Sequence, residues 1–342
     1  MDFDSPEYMQ TSLAAAITLG FRPGLFYRDA RLKGLNLLTT YASGCIARCG
    51  YCGMARGRKP TREKTFIRVA WPRYRTDEII AAVNREDHDL ERVCVGMITH
   101  PNAFQDALTT VKRFKKETSL LISVLIAPTL MKPGMLNLMR EAGADRCGVA
   151  IDCATPELFQ AYRGSGIGGP HVWDRYWQMV EEACQVFGKG KAGVHLIVGL
   201  GETELDMVEA IQRAQDLGAL IHLFSFFPEE GSYLEERDLP PIGQYRRIQL
   251  ARYLINHCGI SKGQMSFNEH GQLVDFGVPK DELEQIVMEG TAFMTSGCPG
   301  KDGQVACNRP YGNERPSQAI RNFPFPPEAE DLVQIREQLY QY

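Results

Sequence analysis

Three thiols dominate the chemistry open to this chain. In Cys45-Ile46-Ala47-Arg48-Cys49-Gly50-Tyr51-Cys52 they are spaced by four and three residues, so one loop can aim all of them at a single metal centre. Structural zinc takes four ligands, commonly from paired CxxC knuckles, and no fourth Cys or His stands near this run. Three thiolates suit a [4Fe–4S] cluster instead, with one iron left open to another molecule; zinc is the alternative. Cys298 and Cys307 form a second, looser pair. Cys94, Cys147, Cys153, Cys184 and Cys258 stand singly in apolar stretches and read as small buried hydrophobes.

The thiol loop needs a rigid frame. Leu35–Tyr41 reads as a β-run leading into it, and Thr76–Asn84 as a helix with Thr76 as N-cap. The strands Arg92–Ile98, Leu120–Ile126, Arg146–Asp152, Val194–Val198, Leu220–Phe226, Gln264–Asn268 and Thr291–Ser296 follow by composition and length. Between them run the helices Phe104–Lys116, Met135–Ala142, His171–Phe187, Glu204–Leu217, Tyr245–His257 and Asp281–Met288. That makes eight strands separated by seven helices. Such alternation implies a parallel sheet with helices outside, and its repeat favours a (β/α)8 TIM-type barrel. An open doubly wound sheet is the alternative.

The barrel is expected over 35–296, after an N-terminal helical extension, 1–34, in which Leu13–Phe21 packs as an amphipathic helix. A turn-rich C-terminal tail, 297–342, ends in a helix from Pro327 to Leu339. Reactive groups in such barrels sit at the C-terminal strand ends. The loop after the first strand puts Cys45, Cys49 and Cys52 there, and Cys298, just past the eighth expected strand, is expected at the same mouth.

Composition narrows the class. With 44% hydrophobic and 23% charged residues in 342, the chain can build a large core. A net charge of −4 argues against a broad nucleic-acid or anionic-membrane footprint. The apolar run Leu13–Phe21 is too short to span a bilayer and lacks a basic leader. A cytoplasmic protein with reduced thiols is the expectation.

The Cys-x-x-x-Cys-x-aromatic-Cys run, with Tyr51 before its last thiol, resembles the radical S-adenosylmethionine superfamily. The resemblance implies a mechanism. The open iron chelates the amino and carboxylate groups of S-adenosyl-L-methionine, and an electron cleaves the sulfonium to methionine and a 5′-deoxyadenosyl radical. That radical takes hydrogen from an unreactive C–H bond. It also implies cofactor contacts: Gly96, in Val93-Cys94-Val95-Gly96-Met97, toward the methionine amino group, and Asp152 toward the ribose hydroxyls. Ile197, Gly199 and Glu202, in Ile197-Val198-Gly199-Leu200-Gly201-Glu202, would pack on adenine, and Phe226, in Phe224–Pro228, would meet its edge.

The block Ile197–Glu202, the segment Asp152-Cys153-Ala154-Thr155-Pro156-Glu157 and Phe227–Asp238 with Gly231 resemble the biotin synthase and lipoyl synthase branch of that superfamily, and the likeness spans roughly Leu35 to Ser296. The second-cluster cysteine of biotin synthase on strand two has a match in Cys94. Its cysteines on strands three and five are replaced by Ile126 or Ala127 and by Gly193, and its substrate-gripping asparagines by Gly148 and Ala150. Biotin synthesis itself is therefore not expected.

The chain offers instead Thr295-Ser296-Gly297-Cys298-Pro299-Gly300 and Cys307-Asn308-Arg309-Pro310-Tyr311-Gly312-Asn313-Glu314-Arg315-Pro316. Turns of this kind can turn backbone amides toward sulfur, so an auxiliary [4Fe–4S] cluster is expected at Cys298 and Cys307. Cys94, a polar side chain or a ligand would complete it; structural zinc or two inert thiols are the alternatives. The tail resembles biotin-synthase-related proteins that act as a two-component lipoyl synthase. That implies an octanoyl chain on a lipoyl carrier protein as substrate, a paralogous lipoyl synthase component, and a ferredoxin or flavodoxin as electron donor.

Two other readings compete: a radical dehydrogenase using the second cluster for electron transfer, and a non-catalytic iron–sulfur carrier. His195 and His222 read as core or barrel-lining groups, and His100, Glu269 and His270 as candidates for the substrate chamber. Arg56, Arg58 and Lys59 follow the thiol loop as candidate contacts for an acidic carrier.

Overall fold

The computed structural model describes residues 3–61, 65–85, 87–311 and 319–342, so Gly312–Pro316 of the tail motif lie outside the described residues. β1 (Tyr8–Thr11) and α1 (Leu13–Thr18) precede β2 (Gly34–Thr39), which feeds the thiol loop. Short strands β3 (Thr65–Phe66), β4 (Val69–Ala70) and β5 (Arg73–Arg75) follow. The chain then alternates through α2 (Thr76–Val83), β6 (Arg92–Gly96), α3 (Ala103–Glu117), β7 (Leu121–Ile126), α4 (Met135–Glu141) and β8 (Arg146–Asp152). Next come α5 (Pro156–Tyr162), α6 (Trp173–Phe187), β9 (Ala192–Val198), α7 (Glu204–Asp216), β10 (Leu220–Ser225) and α8 (Ile242–His257). A hairpin, β11 (Ser266–Phe267) and β12 (Leu273–Asp275), leads to α9 (Lys280–Glu289), and α10 (Ala329–Leu339) ends the described elements.

One sheet takes eight strands in the order β10-β9-β8-β7-β6-β2-β1-β5. The six from β10 to β2 are parallel, while β1 runs antiparallel to β2 and β5. This mostly parallel α/β sheet is the class implied by the alternation and is consistent with a (β/α)8-type barrel. Two expected strands are not among its members. Of Gln264–Asn268, only Ser266–Phe267 is extended, and it pairs with β12. Thr291–Phe293 is a single 3-10 turn, and Met294 makes an isolated bridge to Phe323. Gly290, at φ 73°, turns the chain sharply there, and Ala292 and Phe293 are buried without any ladder. The vacated places are filled at the other edge by β1 and β5, so the N-terminal segment contributes a strand as well as a helix. Thr76 is the first helical residue rather than the cap; Arg75 occupies that position, and Thr76 Oγ1 donates to Pro6 O at 2.5 Å.

The two faces of the parallel strands differ. Residues Leu35, Leu37, Val93, Val95, Val149 and Val194 are buried, forming the apolar face against which helices pack. Their alternates Asn36, Cys94, Arg146, Ala150, His195 and Phe224 are only half-buried. A TIM barrel whose interior is a core fills it with bulky side chains; this interior is polar and open. Contacts at both ends bring β2 and β10 together across it. Above, Leu234 N donates to Gly50 O at 2.9 Å and Lys59 N to Gly231 O at 3.0 Å. Below, tail residues two apart reach both strands: Asn36 Nδ2 lies 3.7 Å from Cys307 Sγ, and Arg309 sits 3.8 Å from the Phe224 ring centroid. In a flat sheet five strand spacings would separate these strands by about 24 Å, so the contacts are those of a curled one.

Candidate functional site

The thiol loop leaves the C-terminal end of β2. Backbone amides turn back on its sulfurs: Ala47 N donates to Cys45 Sγ at 3.4 Å and Met54 N to Cys52 Sγ at 3.3 Å, while Cys52 N closes a turn on Cys49 O at 3.1 Å. Gly53 is needed because a Cβ there would lie 1.8 Å from Thr65 O. Burial pushes the Cys49 and Cys52 thiols above the usual range, Cys52 strongly. Arg163 opposes this at Cys49.

Beneath the loop lies a buried network. Tyr51 Oη donates to Asp152 Oδ2 at 2.5 Å, and Arg163 pairs with the same oxygen at 3.2 Å. Arg163 also reaches Ile151 O (2.7 Å) and the Tyr176 hydroxyl (3.4 Å), whose partner is His171 Nδ1 (2.9 Å). Asp152 is turned there by the backbone. The β8–β9 register shifts between Ala150 and Asp152, and Asp152 takes a left-handed φ of 66°, the kind of irregularity that re-aims a side chain beside a site. Sequence periodicity gave no signal for Arg163, which lies outside every strand and helix core.

Other expected cofactor contacts sit on the same rim in different ways. Ile197 is half-buried on the open face, whereas Phe226 is buried, its N–H bonded to Val198 O at 2.8 Å. Gly96 leaves little room, since a Cβ would lie 3.1 Å from Leu37 O. Gly199, at φ 108°, begins a tight turn whose amides are held by Glu202: Gly199 N to Oε1 at 2.6 Å and Leu200 N to Oε2 at 3.0 Å. Glu202 thus shapes the turn, and burial raises its pKa to about 7.

Cys298 and Cys307 are not at this mouth. The strand that would have carried Cys298 to the rim is absent from the sheet, and the tail instead packs across the N-terminal strand ends. A Cβ on Gly34, the first residue of β2, would strike Ala306 O at 2.8 Å, and Arg92 Nε donates to Pro299 O at 2.6 Å. Both lie by Cys94: its register partner on β2, Asn36, donates to Cys307 Sγ at 3.7 Å, and Cys307 N donates to Cys298 O at 3.2 Å; burial, then Cys307 and Cys298, drive the Cys94 pKa far up. Burial and then Cys307 raise the Cys298 pKa, while Ser123, Arg92 and Arg146 oppose the rise, so two cations lie beside that thiol. Among the described residues no three His, Cys, Asp or Glu groups enclose a single-ion site; a four-iron cluster is larger than one ion and takes its thiolates farther apart. Both donor sets consist of unpaired thiols held in loops or on an open strand face, which fits iron–sulfur ligation.

Glu269 and His270 do not line the interior: their side chains are 86% and 74% exposed on the β11–β12 turn. His100 stacks on Tyr41 at 3.7 Å and meets Ser43 at 3.1 Å, near the thiol loop. Arg58 is engaged within the loop by Gly53 O and Glu230 O, and Lys59 by Glu235. No helix among the described residues is long and apolar enough to cross a membrane.

The fold is similar to that of HydG, a maturase of the [FeFe]-hydrogenase, with a TM-score of 0.52 at 14% identity over 71% of this chain and 53% of that one. The HydG of Carboxydothermus hydrogenoformans gives 0.51 at 17%, over 71% and 54%. The chain therefore spans about half the length of these structures, and at such identity the likeness speaks for the fold. No curated protein matches it in sequence. Residues 39–214, more than half of the chain and including all three loop thiols, match the Radical SAM superfamily, to which this protein belongs.

Proposed function

We propose that this radical SAM enzyme inserts sulfur at an unactivated carbon of a protein-bound octanoyl chain, as one component of a two-protein lipoyl synthase. Cys45, Cys49 and Cys52 would hold the radical-generating [4Fe–4S] cluster, and Cys94, Cys298 and Cys307 an auxiliary [4Fe–4S] cluster as sulfur donor. When bound, the first cluster and S-adenosyl-L-methionine supply a radical that removes hydrogen, and the second supplies sulfide. The chain's own residues do the rest. Tyr51, Asp152 and Arg163 fix the loop above the chamber, while Arg92 and Arg146 favour thiolate at its floor.

The observation that carries this reading is the convergence of Cys94, Cys298 and Cys307 on the chamber floor, opposite the first thiol loop. Two thiol trios at the two ends of one polar hollow leave the space between them for the carbon to be functionalised. The substrate class rests on the tail's likeness to lipoyl synthase components. An octanoylated lipoyl carrier protein, a paralogous component and a ferredoxin or flavodoxin are the partners proposed.

The test is anaerobic reconstitution followed by turnover with dithionite, S-adenosyl-L-methionine and an octanoylated carrier peptide. About eight irons per chain are expected, about four in Cys94→Ala or Cys298→Ala, and a mass gain of one sulfur on the peptide. Cys298→Ala should abolish sulfur addition and keep 5′-deoxyadenosine formation. A wild-type count of about four, or peptide mass unchanged while 5′-deoxyadenosine accumulates, would overturn the sulfur-insertion reading.

A further inference from the structure

The chamber wall on β9 and β10 is chemically unlike the thiol floor. His195 and His222 are neighbours in the β9–β10 register, and their rings meet edge to face at 5.5 Å. His222 is only 8% exposed, and its Nδ1 has no hydrogen-bond partner. His195 leans on Phe224 at 5.1 Å, and the Arg309 guanidinium lies on that same ring at 3.8 Å. Arg309 Nε is also buried without a partner; its Nη2 reaches Ser296 O at 3.4 Å, and no carboxylate among the described residues pairs with it.

The neighbouring strands carry glycine where these two rings pack against them. A Cβ on Gly193 would fall 2.7 Å from His222 Nε2, and one on Gly148 3.5 Å from His195 Nε2. Glycine at both inward positions thus clears the space into which the rings project. Burial and the Arg309 charge hold both imidazoles neutral, His195 down to about 3 and His222 well below its ordinary value. Each ring therefore carries one N–H and one acceptor nitrogen beside the cation of Arg309. A buried polar atom left without a partner is costly, and His222 Nδ1 and Arg309 Nε are two such atoms on one wall; with the His222 proton on Nδ1, both would donate to an acceptor brought by a ligand.

We infer that His195, His222 and Arg309 form the wall that reads the substrate's acyl carbonyl oxygen, whether of an amide or of a carboxylate, while the chain beyond it extends across the chamber toward the thiol floor. The inference rests on the proposed function, because it takes the chamber as the acyl site. It makes the wall the part of that site that recognises acyl substrates.

Reconstituted wild-type protein would be titrated with an octanoyl-lysyl peptide carrying a 13C-labelled carbonyl, and separately with labelled octanoate, reading affinity and the infrared carbonyl stretch. Binding should lower the stretch relative to the free ligand. Arg309→Gln and His222→Leu should each weaken binding by about tenfold, the loss of one hydrogen bond of roughly 1.4 kcal/mol, and restore the free-ligand frequency. Gly193→Ala, which pushes on His222 without removing it, should do the same in smaller measure. Arg309→Lys keeps the charge and should recover part of the affinity, which a mere folding defect in Arg309→Gln would not allow. If the peptide binds but its carbonyl frequency is the same in wild type and Arg309→Gln, the inference is wrong and the proposed function stands. Octanoate shifted by the wall with no binding of the peptide would uphold the wall and overturn the protein-bound substrate. Binding of neither overturns both.

Discussion

The Tyr51 hydroxyl donates to Asp152 at 2.5 Å, so the thiol loop after the first parallel strand is tied to the end of the fourth. The tie is possible because Asp152 sits beside a register shift in a left-handed conformation, where an ordinary extended residue would carry its side chain past the loop. Tyr51→Phe leaves the buried carboxylate with one partner fewer and should cost about 1–3 kcal/mol. Denaturant unfolding of the metal-free protein reads it directly; an unchanged midpoint would show that the bond contributes nothing.

Arg163 is buried against Cys49 and shares Asp152 with Tyr51. Removing one partner of a buried ion pair typically costs about 3–5 kcal/mol, so Arg163→Gln should destabilise the protein by that order. It should also make the cluster at Cys45, Cys49 and Cys52 harder to reduce, because a nearby cation favours the added electron. A redox titration followed by electron paramagnetic resonance would detect the more negative potential. Arg163→Lys should recover part of it, and equal potentials in all three proteins would exclude the electrostatic role.

Arg247 Nη2 and Glu204 Oε1 meet at 2.7 Å with side chains 2% and 3% exposed. The same guanidinium holds Leu339 O and Gln341 O at 2.8 Å, and Glu204 accepts Leu273 N at 2.8 Å. One pair thus joins α7, α8, β12 and the chain's end. Glu204→Gln should lower stability by about 3–5 kcal/mol and speed amide exchange in α10 before the parallel strands. Uniform exchange loss over the whole molecule would argue against this local anchoring.

Glu202 gives a pH signature. Its folded pKa of about 7 lies above the ordinary 4.5, with burial as the main cause. Between those values the folded protein binds more protons than the unfolded chain, so stability falls as pH rises through the window. The shift corresponds to roughly 3 kcal/mol at most. Glu202→Gln should remove this slope: wild type minus variant stability, from urea unfolding at steps between pH 4.5 and 7, should decline with pH. A flat difference would show that the amides of Gly199 and Leu200 offset the burial entirely.

The sequence by itself determined what local spacing can determine. Cys45, Cys49 and Cys52 lie within one loop, so their convergence depends on a few backbone turns, and the run of apolar strands before helices fixes a mostly parallel α/β sheet. The strand count in sequence was a poorer guide at the end of the chain. Thr291–Ser296 has strand-like composition, yet a left-handed Gly290 and the burial of Phe293 against neighbouring elements outweigh propensity. That change of path sends the tail under the barrel, and with it Cys298 and Cys307 to the floor beside Cys94. Their meeting joins residues about two hundred positions apart, and no local pattern encodes such closure. The same holds for Arg163 under Cys49, and for Arg309 on the Phe224 ring opposite His195. In each case burial of a charged or polar group is repaid only by partners that the folded chain brings from elsewhere, so packing alone decided where the chemistry sits.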